Sequence, residues 1–225
     1  MGYESQISFT LDTICPWTYL AKKRLFTAID QVRSTNPQVE FDVRFFPYQL
    51  YPEASKEGED KYEWYKRAKY DALEEKMKMY TTLMSAYGVK EGIEFKFHGT
   101  VANTLDAHKL IQNYQEKRGS GCADKIINAL YRQYFEEEKH PSSEETLVTA
   151  AAAAGIDEDE ARQFIKDENQ GLIETRQLIR EQVGNGVDSV PYIVFEGKRR
   201  DFTLIGAKEV SEYAKVLEQV IKESN

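Results

Sequence analysis

The feature that most constrains this chain is a change of hydrophobic period that occurs near both of its ends. Residues 6–11 place Ile7, Phe9 and Leu11 between polar neighbours, the two-residue alternation of a strand with one buried face. From Pro16 the period lengthens: Ala21, Leu25, Ala28, Ile29 and Val32 recur at helical spacing, with Lys22, Lys23 and Arg24 between them. Pro16 suits a first helical turn, where a missing N–H costs nothing. Val39, Phe41, Val43 and Phe45 alternate again, so the chain opens strand, helix, strand, and a right-handed crossover makes the two strands parallel.

A long helical tract follows the polar stretch 51–60. Leu73, Met77, Tyr80, Met84 and Tyr87 mark one face of a helix ending near Gly88, and 105–114 and 126–135 read as two more. Ser142 with Glu145, and Asp157 with Glu160, have capping-box spacing before two further helices, the first stopping at Gly155. A last helix, 170–183, breaks at Gly184 and Gly186. Residues 192–195 and 202–205 flank a turn at 196–198 as a hairpin, and 208–221 close the chain as an amphipathic helix. The order βαβ, five or six helices, ββα is that of a mixed α/β, thioredoxin-like fold carrying a large α-helical insertion. The expected division is a core of 1–58 and 186–225 with an insertion of 59–185.

Composition excludes several classes. With 38 acidic against 30 basic residues the net charge is −8, the wrong sign for a general nucleic-acid or anionic-membrane binder. No apolar run approaches the ~20 residues that span a bilayer. The N-terminus shows neither a basic nor an apolar signal region, so the expected location is cytoplasmic. Cys15 and Cys122 are too few for a disulfide framework, and His98, His108 and His140 lack metal-ligand spacing, so no metal is expected.

The stretch Asp12-Thr13-Ile14-Cys15-Pro16-Trp17-Thr18-Tyr19 places a cysteine between a strand end and a helix start. Unpaired N–H groups there favour an anion, and helix-start cysteines have pKa values of roughly 3.5–7.5 against ~8.5 for a free thiol. Cys15 therefore reads as an activated nucleophile, against the alternative of a small buried hydrophobe. Farther on, Gly186-Val187-Asp188-Ser189-Val190-Pro191-Tyr192 sets a proline directly before an apolar strand.

Together these segments resemble the FrnE-like branch of the DsbA family, from about Ser5 to Val220. The resemblance is carried by residues 12–25, Asn103-Thr104-Leu105-Asp106-Ala107-His108, residues 131–137, residues 186–192 and Ile205-Gly206-Ala207. It implies a thioredoxin core with a helical insertion, Cys15 as nucleophile and Pro191 as a cis-proline lying against it. It also implies kinship with kappa-class glutathione transferases and 2-hydroxychromene-2-carboxylate isomerases. The family's oxidoreductases carry CPWC, whereas this chain has Thr18 at the second cysteine position. A single thiol cannot close an intrachain disulfide, so the expected activity is monothiol, DsbA-like thiol oxidoreduction with glutathione as co-substrate.

The alternatives are a glutathione-dependent transferase or isomerase acting on a small organic substrate, and a redox-inactive binding protein. Expected partners are a small thiol or disulfide or a small organic substrate, with a homodimer left open. Thr18 is expected to donate to a sulfur or to be a neutral helix residue. Pro16, Trp17 and Val190 are expected to shape the substrate groove. Asn103 is read as facing that groove or capping a helix, His108 as a satisfied, partly buried histidine or a catalytic base, and Cys122, in a loop, as a structural or surface residue or a substitute resolving thiol. Tyr62, Trp64, Tyr65 and Tyr70 are read as cleft lining or core. Kappa-like relatives hold glutathione with Ser and Asp at the start of the last helix. This chain has Ala207 and Lys208 there, leaving only backbone N–H groups.

Overall fold

The computed structural model describes residues 3–224, so residues 1, 2 and 225 of the expected core lie outside it. Strand β1 (Tyr3–Leu11) leads into α1 (Pro16–Thr35), and α1 returns to β2 (Val39–Pro47). β1 and β2 pair in parallel with Ile7 opposite Val43 and Phe9 opposite Phe45. The chain re-enters the sheet through β5 (Tyr192–Phe195), antiparallel to β1, and finishes with β6 (Phe202–Ile205) and α9 (Val210–Ser224). The sheet order is β2-β1-β5-β6, which puts β1 at the centre and directs its C-terminal end at the start of α1.

Between β2 and β5 lie β3 (Glu59–Asp60), α2 (Lys61–Lys69), α3 (Glu74–Glu91), β4 (Thr100–Val101), α4 (Leu105–Arg118), α5 (Ser120–Phe135), α6 (Glu144–Ala153), α7 (Glu158–Lys166) and α8 (Leu172–Gly184). β3 and β4 form a separate two-stranded ribbon. Helix α1 is the seam between this helical tract and the sheet. Its Tyr19 ring stacks on Tyr131 of α5 at 4.7 Å, and its hydroxyl donates to Glu136. Its Arg24 binds Glu91 and Glu209, and Lys22 pairs with Asp124.

Three local readings shift. The cap of α6 is Ser143, one residue later than expected, whose side chain accepts the Thr146 N–H. Helix α5 begins at Ser120, so Cys122 lies in its first turn and not in a loop. α2 had no periodic signal; its cap, Asp60, accepts the Glu63 N–H.

An edge strand leaves one row of backbone groups unpaired. β2 answers with side chains: the Gln115 carboxamide accepts the Phe45 N–H and donates to the Phe45 carbonyl, each at 2.9 Å, and Gln112 donates to the same carbonyl. Removing Gln115 leaves a buried N–H orphaned, at a cost of about 1–3 kcal/mol, whereas removing Gln112 orphans nothing on the strand. Gln115→Leu is therefore expected to lower the urea unfolding midpoint markedly, and Gln112→Leu only slightly; equal effects would refute this account of the edge.

Candidate active site

The site is built where β1 ends. After Leu11 the chain turns through residues 12–15, closed by the Cys15 N–H donating to the Asp12 carbonyl at 3.0 Å. Cys15 caps α1 and Pro16 follows at the first helical position. From the other side, α8 ends in a pair of crossed hydrogen bonds, Gly186 N–H to Val183 and Val187 N–H to Gln182, with Gly186 at φ +86°. That left-handed turn, which favours glycine, lays residues 187–191 across the start of α1. The Val190–Pro191 peptide bond is cis. The Cys15 thiol donates to the Val190 carbonyl, with Sγ at 3.6 Å.

Cys15 is covered. It is 4% exposed and forms a small apolar cluster with Val187 and Val190, packed by Trp17, Tyr48, Leu50 and Tyr192. The cover is fastened from both sides. The Tyr48 hydroxyl donates to the Asp188 carbonyl at 3.1 Å, and the Leu50 N–H donates to an Asp12 carboxylate oxygen at 2.7 Å. This overturns the expectation of a low-pKa thiol. Desolvation pushes the Cys15 thiol up to about 12, aided by the nearby Asp12 charge; the N–H groups of Thr18 and Trp17 and the Thr18 hydroxyl pull the other way and lose.

Thr18 does more than its expected role. It is fully buried, and its single hydroxyl proton is shared between the backbone carbonyls of Cys15 at 2.7 Å and Asp12 at 3.0 Å, while its oxygen accepts from Tyr131 at 2.8 Å. It braces the turn, and it also acts on the sulfur as one of the smaller influences that lower the thiol's pKa. Asn103 is likewise committed: its amide donates to Pro52, and its oxygen accepts from Gln49 and from the Leu105 N–H at the start of α4. It ties the loop that carries Leu50 to α4, so it supports the cover instead of lining the groove.

Pro16 and Trp17 border two hollows. Trp17 contacts Tyr87 edge-on at 5.5 Å and walls an open apolar cleft of about 930 Å³ with Tyr70, Met79, Tyr80 and Leu83. Pro16 lines a cavity of about 20 Å³ with Tyr65, Tyr134 and the buried Lys61. Burial holds the Lys61 ammonium down to about 8. Of the aromatic cluster, Tyr70 thus reaches the cleft, while Trp64 packs on Tyr51 and Tyr62 on His98.

Cys122, on α5, has Gly121 and Ala123 as its chain neighbours and makes no hydrogen bond to the Cys15 cluster among the described residues; both cysteines are free thiols. At the start of α9 the Lys208 N–H is bound by the Tyr213 hydroxyl, and the Lys208 carbonyl accepts from Arg24. Among the described residues no three His, Cys, Asp or Glu side chains converge as a metal site, and no helix is long and apolar enough to cross a membrane.

One partnership was not legible in the sequence, where Asp12 had no role assigned and His108 was read alone. Asp12 and His108, both 0% exposed, meet with Oδ1 and Nε2 3.2 Å apart. The signal was present as the acidic residue three before Cys15 and the histidine inside an apolar helix face, but nothing in the spacing joins positions 96 residues apart.

The geometry has a measurable consequence. With Cys122→Ser to remove the other thiol, iodoacetamide should alkylate Cys15 at neutral pH on the order of 100-fold more slowly than a free cysteine, with the rate still climbing above pH 9. Tyr48→Phe, which removes one hydrogen bond worth about 0.5–1.5 kcal/mol from the closed state, should speed alkylation about 2–10-fold. A midpoint near 8.5, or no effect of Tyr48→Phe, would show that Cys15 is not held under this cover.

A family model for the DSBA-like thioredoxin domain matches residues 6–218. Among solved structures the chain is similar to a probable DsbA oxidoreductase from Streptomyces coelicolor, at 25% identity and TM-score 0.84, over 98% of this chain and 92% of that one. It is similar in fold to a 2-hydroxychromene-2-carboxylate isomerase, at 14% identity and TM-score 0.70 over 96% of each chain. It is similar in fold also to the cytosolic disulfide reductase DsbM from Pseudomonas aeruginosa, solved with GSH, at 14% identity and TM-score 0.64 over 96% of this chain and 99% of that one. Among curated proteins none matches. The match over nearly the whole length, on a sheet and helix order of that kind, makes this chain a member of the DSBA-like thioredoxin domain family.

Proposed function

We propose that this protein is a thiol–disulfide exchange enzyme that works with one cysteine and takes its second thiol from glutathione. The observation that carries the reading is Cys15 Sγ lying 3.6 Å from the Val190 carbonyl, beside Pro191, with Thr18 where a resolving cysteine would stand. A disulfide R–S–S–R′ docking along residues 188–191 would be attacked by the Cys15 thiolate. The S–S bond breaks, Cys15–S–S–R forms, and R′–S⁻ leaves and takes a proton from solvent. A glutathione thiolate then attacks the R sulfur, giving R–S–S–G and returning Cys15. No electron carrier beyond thiols is needed.

Several features support this. The fold family is one of thiol chemistry, and the structural relatives include a protein named as a disulfide reductase and solved with GSH. The apolar cleft begins at Trp17, two residues from the nucleophile, and offers a landing surface for the organic part of a small disulfide. The start of α9 is closed by Tyr213, so glutathione would lie along Val190 and this cleft instead of at Ala207 and Lys208. The reading places the protein in a reducing compartment such as the cytoplasm, where glutathione is abundant.

A second reading is favoured by one observation, the thiol held neutral by burial. A protonated Cys15 could position glutathione or an organic substrate without changing redox state, as a transferase or isomerase would require.

The test is glutathione-dependent reduction of hydroxyethyl disulfide, with insulin reduction alongside. The parent should turn over the small disulfide and Cys15→Ser should lose about 100-fold or more. Thr18→Cys should gain insulin reduction that the parent lacks. A parent inactive on disulfides but binding glutathione by calorimetry would support the second reading. A parent that neither turns over nor binds would overturn both.

A further inference from the structure

Helix α8 buries an unusual residue for its position. Its one buried side chain is Thr175, 1% exposed, while its Ile173 and Val183 lie in solvent. The Thr175 hydroxyl has no hydrogen-bond partner among the described residues, and neither has the buried side-chain nitrogen of Asn113 on α4. Both residues line one cleft of about 600 Å³ between β2, α4 and α8. Gln112 and Gln115 beside Asn113 donate to the Phe45 carbonyl, so the two orphans are groups left over once the sheet edge is sealed. Helix α8 also begins on this cleft, at Gly171 with φ +72° and without a side-chain cap. A helix start presents free N–H groups and a partial positive charge. Buried polar groups in folded proteins are paired by protein, water or a bound group, so three sets of donors around one hollow call for acceptor oxygens.

We propose that this cleft binds a free α-amino acid with an apolar side chain. The proposal is independent of the reading of Cys15. The carboxylate takes the Asn113 amide, the Thr175 hydroxyl and the N–H groups at the start of α8. A carboxylate alone fits poorly, because three acidic side chains line the cleft, Glu116, Glu174 and Glu181, against two basic ones, Arg44 and Lys117. A zwitterion resolves that conflict. Glu174 lies in the first turn of α8, is exposed and has no ion pair among the described residues, so it receives the ammonium group. The other two acids are engaged: Glu116 faces Arg44 at 3.8 Å, and Glu181 accepts from Gln177. Phe46 and Leu178, both half-buried, supply the apolar lining on which the side chain lies. An apolar floor with a few converging polar groups is the usual make-up of a small-molecule site.

The probes are L-phenylalanine, N-acetyl-L-phenylalanine, which lacks the ammonium group, and L-phenylalaninamide, which lacks the carboxylate. Titrated into the isotope-labelled full chain and followed by NMR, L-phenylalanine should give saturable shifts at the Gly171 and Thr175 amides and at the Asn113 side chain. Each analogue should bind at least about tenfold more weakly. Thr175→Val keeps the shape and removes the hydroxyl. It should weaken L-phenylalanine binding about tenfold while the melting temperature does not fall, because the hydroxyl makes no hydrogen bond within the protein. Glu174→Gln should weaken L-phenylalanine about tenfold and leave N-acetyl-L-phenylalanine unchanged. No saturable shift below about 10 mM, equal binding of the three probes, or undiminished binding in Thr175→Val would overturn the proposal. Should Thr175→Val melt lower or fail to fold, the exposed Glu174→Gln decides alone: a loss confined to L-phenylalanine supports the site and unchanged binding overturns it.

Discussion

Much of the site hangs on one buried residue, Asp12. Its carbonyl accepts the Cys15 N–H and the Thr18 hydroxyl, which shapes the turn from β1 into α1. Its carboxylate accepts the Leu50 N–H and meets His108, which fastens the cover loop and the first turns of α4 to the same point. Strand, nucleophile helix, cover and insertion thus converge on four interactions of a single side chain and its carbonyl. A buried carboxylate is tolerated only when its hydrogen-bonding capacity is met. That requirement locks the geometry: moving Leu50 or His108 leaves a buried carboxylate oxygen without its partner, and moving Cys15 or Thr18 weakens the hydrogen bonding of the Asp12 carbonyl.

The same burial decides the state of the nucleophile. A helix N-terminus stabilises an anion by about 0.3–1 kcal/mol, and up to ~2 in favourable geometry, roughly one pKa unit. Full desolvation shifts a buried group by up to about 3–5 units in the opposite direction. At Cys15 the larger effect wins, and the resting protein keeps a thiol. The helix end opposes that shift, through the N–H groups of Thr18 and Trp17, but does not reverse it.

Much of the architecture was legible in residue order. The alternation of Ile7, Phe9 and Leu11, the helical spacing from Ala21 to Val32, and the hairpin around 196–198 each report a local period, and local periods survive into the fold. Caps were legible to within a residue, since Ser142 and Ser143 are both competent capping residues and it is Ser143 whose side chain accepts the Thr146 N–H. Asp157 needed no such choice and caps α7 through two N–H groups. Cys15, Pro16, Trp17, Val190 and Pro191 do gather at one place, as their motifs imply. For Thr18 and Asn103 the sequence offered part of the task, an interaction with the sulfur and the capping of α4, but not their partners Tyr131, Pro52 and Gln49, because a hydroxyl or amide takes distant partners from three dimensions.

By itself the sequence determined the order of strands and helices, the position of a cysteine at a helix start and the absence of a second cysteine three residues on. These are properties of neighbours along the chain, set by steric period and by which residue is present. Only the tertiary structure decided that Cys15 is covered, that Asp12 meets His108 and that Thr18 faces Tyr131, since those contacts join segments 96 to 175 residues apart. Proton affinity follows from solvent exclusion and from charges a few ångströms away, and neither is a function of sequence distance.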